Sequence, residues 1–258
     1  MQRLLSLVAL AAGLFSASGA AQCARETLVA ATNKLLAAQT AGKPDAMGAI
    51  TGVGYLEQFK TADMKKGILA TPLKLDFNRS LHDTVQCATY TEMVAAAGAH
   101  PYVVGTQMHF TPEGKLTNLS SLVTDRGDWL FNATGTLYWA SREKWDVIPE
   151  AQRDSRATIQ AAANAYADIF NDKSVKVPWG SPCARLEGGA YTGNGSPSDR
   201  CDVGIPEGVA LVNRRYIIDE TIGAVDVFID FATVPDSHEF RIEKGKIRYV
   251  HTITVMGG

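Results

Sequence analysis

Residues 211–255, LVNRRYIIDETIGAVDVFIDFATVPDSHEFRIEKGKIRYVHTITV, decide the fold. The stretch reads as three strands joined by turns. Polar and apolar residues alternate through 223–232, with Asp226 and Asp230 on one face and Val225, Val227, Ile229 and Phe231 on the other. A second alternating run, 247–255, follows a turn at Lys244-Gly245. A sheet with one apolar face must pack that face against another layer. Asp219, Asp226, His238 and His251 make this set more polar than a structural sheet needs, so it also holds most of the candidate chemistry.

Working outward, the same order of elements occurs earlier in the chain. A helix is expected over 24–39, where Leu28, Ala31, Leu35 and Ala38 fall on one face, and it stops at Ala41-Gly42-Lys43-Pro44. A short helical turn over 45–50 and strands over 87–94, 102–110 and 115–123 follow. Arg25-Glu26-Thr27-Leu28 and Asn33 then recur as Arg156-Ala157-Thr158-Ile159 and Asn164, and Leu56-Glu57 as Leu186-Glu187. Gly114-Lys115-Leu116 recurs as Gly245-Lys246-Ile247, and Asp83-Thr84-Val85 resembles Glu220-Thr221-Ile222. The matches keep one order and a step of about 130 residues, which describes a duplicated module. The expected layout is residues 1–20 as a leader, 21–123 as a first module, 124–153 as an aromatic connector and 154–258 as a second module. The connector holds Trp129, Phe131, Tyr138, Trp139 and Trp145, too aromatic for a disordered linker. It reads either as packing between modules or, through Tyr138, Trp139 and Trp145, as the wall of a ligand pocket, and the two are compatible.

The leader has a short basic start, an apolar run over 4–15 and small residues at 18–21, the pattern of a secretory signal peptide. The run is too short to span a bilayer. An extracellular or secretory-lumen location is therefore expected. The formal net charge of −2 gives no support to nucleic acid or anionic membrane as a partner. Four cysteines in a secreted chain favour two disulfides, and Cys23–Cys87 with Cys183–Cys201 is the preferred of three pairings. Their spacing matches no zinc site, and no metal is expected. Sequons at Asn78, Asn118, Asn132 and Asn194 suggest a glycoprotein, with Asn194 the least favoured because Gly-Ser-Pro follows it.

The helix-then-sheet module resembles the cone-shaped superfamily of nuclear transport factor 2, scytalone dehydratase and ketosteroid isomerase (SnoaL-like). GDWLFNATGTLYWASREKW (127–145), KVPWGSPCARLEGGAYTGNG (176–195) and NRRYIIDETIGAVDVF (213–228) resemble a family of uncharacterised secreted fungal proteins. Proteins implicated in joining maleic anhydride units into maleidrides look similar in size and leader. The fold expected is α+β: duplicated cone-shaped modules, helices packed on curved, mostly antiparallel sheets, forming an internal pseudo-dimer or a homodimer. The resemblance implies a cofactor-independent isomerase, dehydratase or cyclase that abstracts a carbon-bound proton and stabilises an enolate, on a maleic-anhydride-like or other acidic metabolite. A second expectation is a non-catalytic secreted protein holding a small apolar ligand or a glycan.

The residues offer their own candidates. His251 and His238 are either satisfied core histidines or proton carriers, with Asp226 or Asp219 as orienting carboxylates and Tyr249 as a phenolic donor. Arg185 and Glu187, two apart on an extended segment, share a face and read as an ion pair or as an anion-binding arginine with a base. Arg215 and Tyr216, with Trp179, Tyr191 and Trp139, are the remaining substrate-binding candidates. No G-x-S-x-G elbow, Rossmann fingerprint, zincin motif or EF-hand loop is present, and no organic cofactor is expected.

Overall fold

A computed structural model of the protein describes residues 23–256; the expected leader lies outside them. The first half opens with α1 (Arg25–Ala41), whose Leu28, Leu35 and Ala38 are buried. Gly42, in the left-handed region at φ 62°, ends it, and the Lys43 N–H returns to the Ala38 carbonyl. Strands β1 (Gly54–Glu57), β2 (Lys60–Thr61), β3 (Phe77–Asp83), β4 (Ala88–Ala95), β5 (Tyr102–Phe110) and β6 (Leu116–Thr124) form one sheet in the order β2-β1-β6-β5-β4-β3. The connector carries a short helix, α2 (Ala133–Ala140), capped by the Asn132 side chain. The second half begins with α3 (Arg156–Asp168), where the Ser155 hydroxyl accepts from the Thr158 N–H and Ile159, Ala162, Ala163 and Tyr166 are buried. Strands β7 (Trp179–Glu187), β8 (Ala190–Tyr191), β9 (Leu211–Asp219), β10 (Ala224–Phe231), β11 (Val234–Glu243) and β12 (Lys246–Thr254) form the second sheet in the order β8-β7-β12-β11-β10-β9.

The two orders are the same order, so the chain is a pair of similar α+β modules and forms an internal pseudo-dimer. Both sheets are mixed, because β1 runs parallel to β6 and β7 parallel to β12. Among the described residues each is also open, with β2 and β3 or β8 and β9 as its edge strands. The cone-shaped module is therefore corrected to an open sheet flanked by helices, mostly antiparallel as expected but with one parallel pairing in each. Alternation along a strand fixes which face is apolar, but it carries no information on whether a sheet curls or closes.

Residues 211–255 form four strands, not three. The missed hairpin turns at Ala232-Thr233 between Phe231 and Val234, with Ala232 itself at φ 55°. Such turns usually advertise themselves by Gly, Asn or Asp. The repeat also shifts by one residue. Asp83 pairs with Ala88 and Asp219 pairs with Ala224, which makes Asp219, not Glu220, the counterpart of Asp83.

The halves pack through their sheets. Leu81, Tyr90, Val103 and Leu122 meet Ile217, Ala224, Phe228 and Ile253 in one buried cluster. Around it runs a reciprocal pair of ion pairs. Arg25 at the start of α1 donates twice to Asp219, at 2.8 and 2.7 Å, and Arg156 at the start of α3 donates twice to Asp83, at 2.8 and 2.6 Å. Asp219 also accepts from the His82 N–H, and Asp83 from the Ile218 N–H. Such i-to-j and j-to-i contacts are the signature of a two-fold interface, here within one chain.

Cys23 bonds to Cys87 and Cys183 to Cys201. The first ties the start of α1 to the β3–β4 turn, and the second fastens the long loop before β9 to β7. Among the described residues no helix is long and apolar enough to cross a membrane. Asn78, Asn132 and Asn194 are exposed, whereas the Asn118 Oδ1 is buried.

Candidate functional site

The two faces of the second sheet have different work. Along β11, Ser237, Glu239 and Arg241 point toward the first module, while Asp236, His238 and Phe240 point toward α3. On the α3 side lies a cavity of about 560 Å³. Its walls are apolar: Phe170 just after α3, Phe231 and Val234 at the β10–β11 turn, Ile205 and Pro206 from the disulfide-tied loop, and Trp129 from the connector. Its floor is a polar patch on two neighbouring strands. Asp236 sits opposite Thr254 and His238 opposite Thr252.

The floor is incompletely satisfied. The Thr254 hydroxyl donates to Asp236 Oδ1 at 2.8 Å. His238 Nδ1 lies 3.0 Å from Asp236 Oδ2, an ion-pair separation, but the alignment is not that of a hydrogen bond. Asp236 Oδ2, His238 Nδ1 and Thr252 Oγ1 are all buried without a hydrogen-bond partner among the described residues. Buried polar atoms are rarely left so, and each such group asks for an explanation. The His238 ring is boxed by Tyr166, Phe170 and Phe240. Burial raises the Tyr166 phenol well above its ordinary range, so it stays protonated.

Arg185 and Glu187 border the cavity on β7. They form an ion pair at 3.2 Å, and Arg185 Nη1 and Nη2 donate to the Cys201 and Val203 carbonyls. Glu187 also accepts from the Trp129 indole at 2.8 Å. This arginine therefore holds the disulfide loop in place, with each of its three nitrogens already engaged. Trp129 is held over Gly188, where an added Cβ would lie 2.2 Å from the Trp129 carbonyl oxygen.

The corresponding space in the first module is filled. Ladder registers make Val104, Thr106 and Ser121 the counterparts of Asp236, His238 and Thr252. Thr106 and Ser121 hydrogen-bond to each other at 2.9 Å. Met64, Ile68, Leu69 and Leu73 lie in one buried cluster with Val104 and Met108. The segment carrying them is fastened by Glu57, which accepts from the Ile68 N–H and the Tyr55 hydroxyl, and by Gln39, which donates to the Ile68 and Thr71 carbonyls.

Of the candidates drawn from sequence, the cavity brings together His238, Arg185 and Glu187. The others lie elsewhere. His251 is in the sheet–sheet interface, in a buried cluster with Arg79, Glu92, Glu239 and Glu143. Arg79 donates to Glu92 at 2.7 Å and to Glu239 at 2.6 Å, and His251 lies 3.1 Å from Glu92 and 2.7 Å from Glu143. Burial lowers the His251 pKa, but Glu143 and Glu92 outweigh it and lift the ring to about 10. Burial opposes ionisation of Glu92, while His251 and Arg79 pull it down to about 2. Glu92, Glu239 and His251 offer ligand atoms within 4.8 Å of one another, the spacing of a metal site, but the Arg79 guanidinium already supplies their cation.

Tyr249 stacks on Trp145, which also covers the Arg79 guanidinium at 3.7 Å. Asp226 is buried in the same interface, accepting from Ser237 and Gln107, and burial pushes its carboxyl well above the usual range. Asp219 holds Arg25. Trp139 stacks on Tyr191, whose hydroxyl donates to Glu143. The Tyr216 hydroxyl donates to Asn164, and Arg215 lies over Phe59. Trp179 packs edge-on against Tyr166 within the α3 core. The connector thus packs between modules through Ala133, Leu137 and Trp145, and it lines the cavity through Trp129 rather than through Tyr138, Trp139 or Trp145.

Asp236 and Thr252 went unread in the sequence. Asp236 and His238 are two apart, so recognising the Ala232-Thr233 turn would have put both on one strand face beside Phe240.

A family model described as a domain of unknown function (DUF8021) matches residues 152–254, which coincide with α3 to β12. No curated protein matches the chain. The likeness to nuclear transport factor 2, ketosteroid isomerase and maleidride-forming proteins is therefore withdrawn, and with it the isomerase, lyase and cyclase descriptions, which the open sheets also undercut.

Proposed function

We propose that the protein is a secreted binder of a small, predominantly apolar molecule, held in the cavity of the second module. One observation carries this reading: the second module keeps about 560 Å³ open between aromatic walls and a polar floor. Protein interiors are close-packed, with few voids larger than a water molecule. A space of this volume falls within the range of small-molecule pockets, roughly 300–1,000 Å³. The first module, built on the same strand order, fills its counterpart with Met64, Ile68 and Leu69, so the fold does not require a void there. Secretion is supported by the leader pattern and by two disulfides, which persist in oxidising compartments.

The test is a fluorescence titration with prodan, a neutral solvatochromic probe. Saturable blue-shifted emission at one probe per chain is expected, lost in Thr252→Trp, which places an indole over the cavity floor. No saturable signal, or a signal unchanged in a folded Thr252→Trp protein, would remove the cavity as the site.

A further inference from the structure

We propose that the ligand is a neutral, hydroxyl-bearing molecule with an apolar body, its hydroxyl seated against the Asp236–His238 pair. This deepens the binding reading above and rests on it. The walls specify the body: Phe170, Phe231, Ile205, Pro206 and Trp129 offer apolar and aromatic surface. The floor specifies the polar group, because Asp236 Oδ2 and His238 Nδ1 are 3.0 Å apart and neither has a hydrogen-bond partner among the described residues. A carboxylate oxygen only accepts, whereas an imidazole N–H donates, and a hydroxyl does both. Its O–H donates to Asp236 Oδ2 while its oxygen accepts from His238 Nδ1–H. Thr252, opposite His238 and also unpartnered, provides a second contact for the same oxygen.

The charges argue against the alternatives. An anionic ligand would meet the carboxylates of Asp236 and Glu187 without a free cation, since every nitrogen of Arg185 already donates to Glu187, Cys201 or Val203. A cationic ligand would compete with the His238 ring beside Asp236 and leave its donor unpaired. A hydrocarbon would leave the three buried polar atoms without partners, an unmet demand that a hydroxyl supplies.

Isothermal titration calorimetry of the intact chain with 4-phenylphenol, biphenyl, biphenyl-4-carboxylate and biphenyl-4-methylamine separates these cases at pH 7. We expect 4-phenylphenol to bind about tenfold or more tighter than each of the others. Asp236→Asn and His238→Phe should bring it to within about twofold of biphenyl, with biphenyl itself little changed. Equal binding of biphenyl and 4-phenylphenol in the wild type would overturn the hydroxyl assignment while leaving the cavity as a binding site. Tightest binding of the carboxylate or the amine would do the same. Binding of none of the four would remove the binding reading and this inference together. The wild-type ranking decides even if a variant does not fold.

Discussion

At the scale of single residues, the interface cluster is the strongest case of structure dictated by charge. Arg79 is the common donor to Glu92 and Glu239, both buried, and lies under Trp145. Removing one member of a buried ionic set leaves its partners charged and unsolvated, typically at 3–5 kcal/mol. Arg79→Ala should therefore lower the unfolding free energy by about 3–5 kcal/mol in urea. Adding Glu239→Gln should recover part of that loss. The same cluster sets a pH dependence. His251 is raised from 6.5 to about 10, so its contribution is complete below pH 6.5 and is lost as pH rises toward 10. Glu92 is lowered from 4.5 to about 2, so its contribution is complete above pH 4.5 and is lost as pH falls toward 2. His82 is lowered to about 4, chiefly by burial and then by Arg25, and it too loses stability on acidification below pH 6.5. Urea unfolding between pH 6.5 and 10 should show a decline in the wild type that is absent in His251→Gln, and a flat wild-type profile would refute the charged imidazole. Sequence made the polar nature of His251, Asp226 and His238 visible. Facing was harder, because the Ile247-to-Tyr249 register shift sends Ile247 to the α3 core while Tyr249 meets Trp145 of the connector.

At the scale of elements, the strands that alternate cleanly were legible, whereas β3, whose polar residues pair across the interface, was not. β3, FNRSLHD, is a central example: its polar Arg79, His82 and Asp83 find their partners across the chain, in Glu239, Asp219 and Arg156. Nothing within seven residues announces such partners. The β7–β8 hairpin is another, since Gly188 and Gly189 are read locally as flexible loop residues. In the folded chain they admit the connector backbone, which an added Cβ would strike at 2.2 Å from Trp129 and 2.4 Å from Asn132. Gly188, at φ 59°, would also be strained by any side chain. Gly188→Ala should cost about 2 kcal/mol and loosen Trp129, seen as a red-shifted tryptophan emission. The disulfide loop makes the third element-scale case. Cys183 and Cys201 are separated by 18 residues. Replacing both by serine should cost about 3 kcal/mol, and free the loop that brings Ile205 and Pro206 to the cavity. Limited proteolysis should then cut first within residues 192–210.

At the scale of the whole molecule, duplication was legible because order and spacing survive divergence, even where the alignment slipped by one residue at Asp219. Sheet closure was not, because hydrophobic alternation is the same in a flat, curved or closed sheet. The duplication also makes a stability prediction. Arg25→Ala and Arg156→Ala remove equivalent donors from Asp219 and Asp83, so each should cost about 2–4 kcal/mol, with the two values within about 1 kcal/mol of each other. Strongly unequal losses would mean that the reciprocal pairs are not energetically equivalent.

What the pseudo-symmetry does not share is the interior of each module. Val104, Thr106 and Ser121 face a packed segment, while Asp236, His238 and Thr252 face open space. That difference is the basis for placing function in the second half alone. A crystal soaked with 4′-bromo-4-phenylphenol tests it most directly through the anomalous signal of bromine. We predict one bromine site per chain, between Phe170, Phe231 and Trp129, with the hydroxyl at Asp236 and His238 and no site in the first module. Bromine in the first module, in the interface alone, or nowhere would contradict the account.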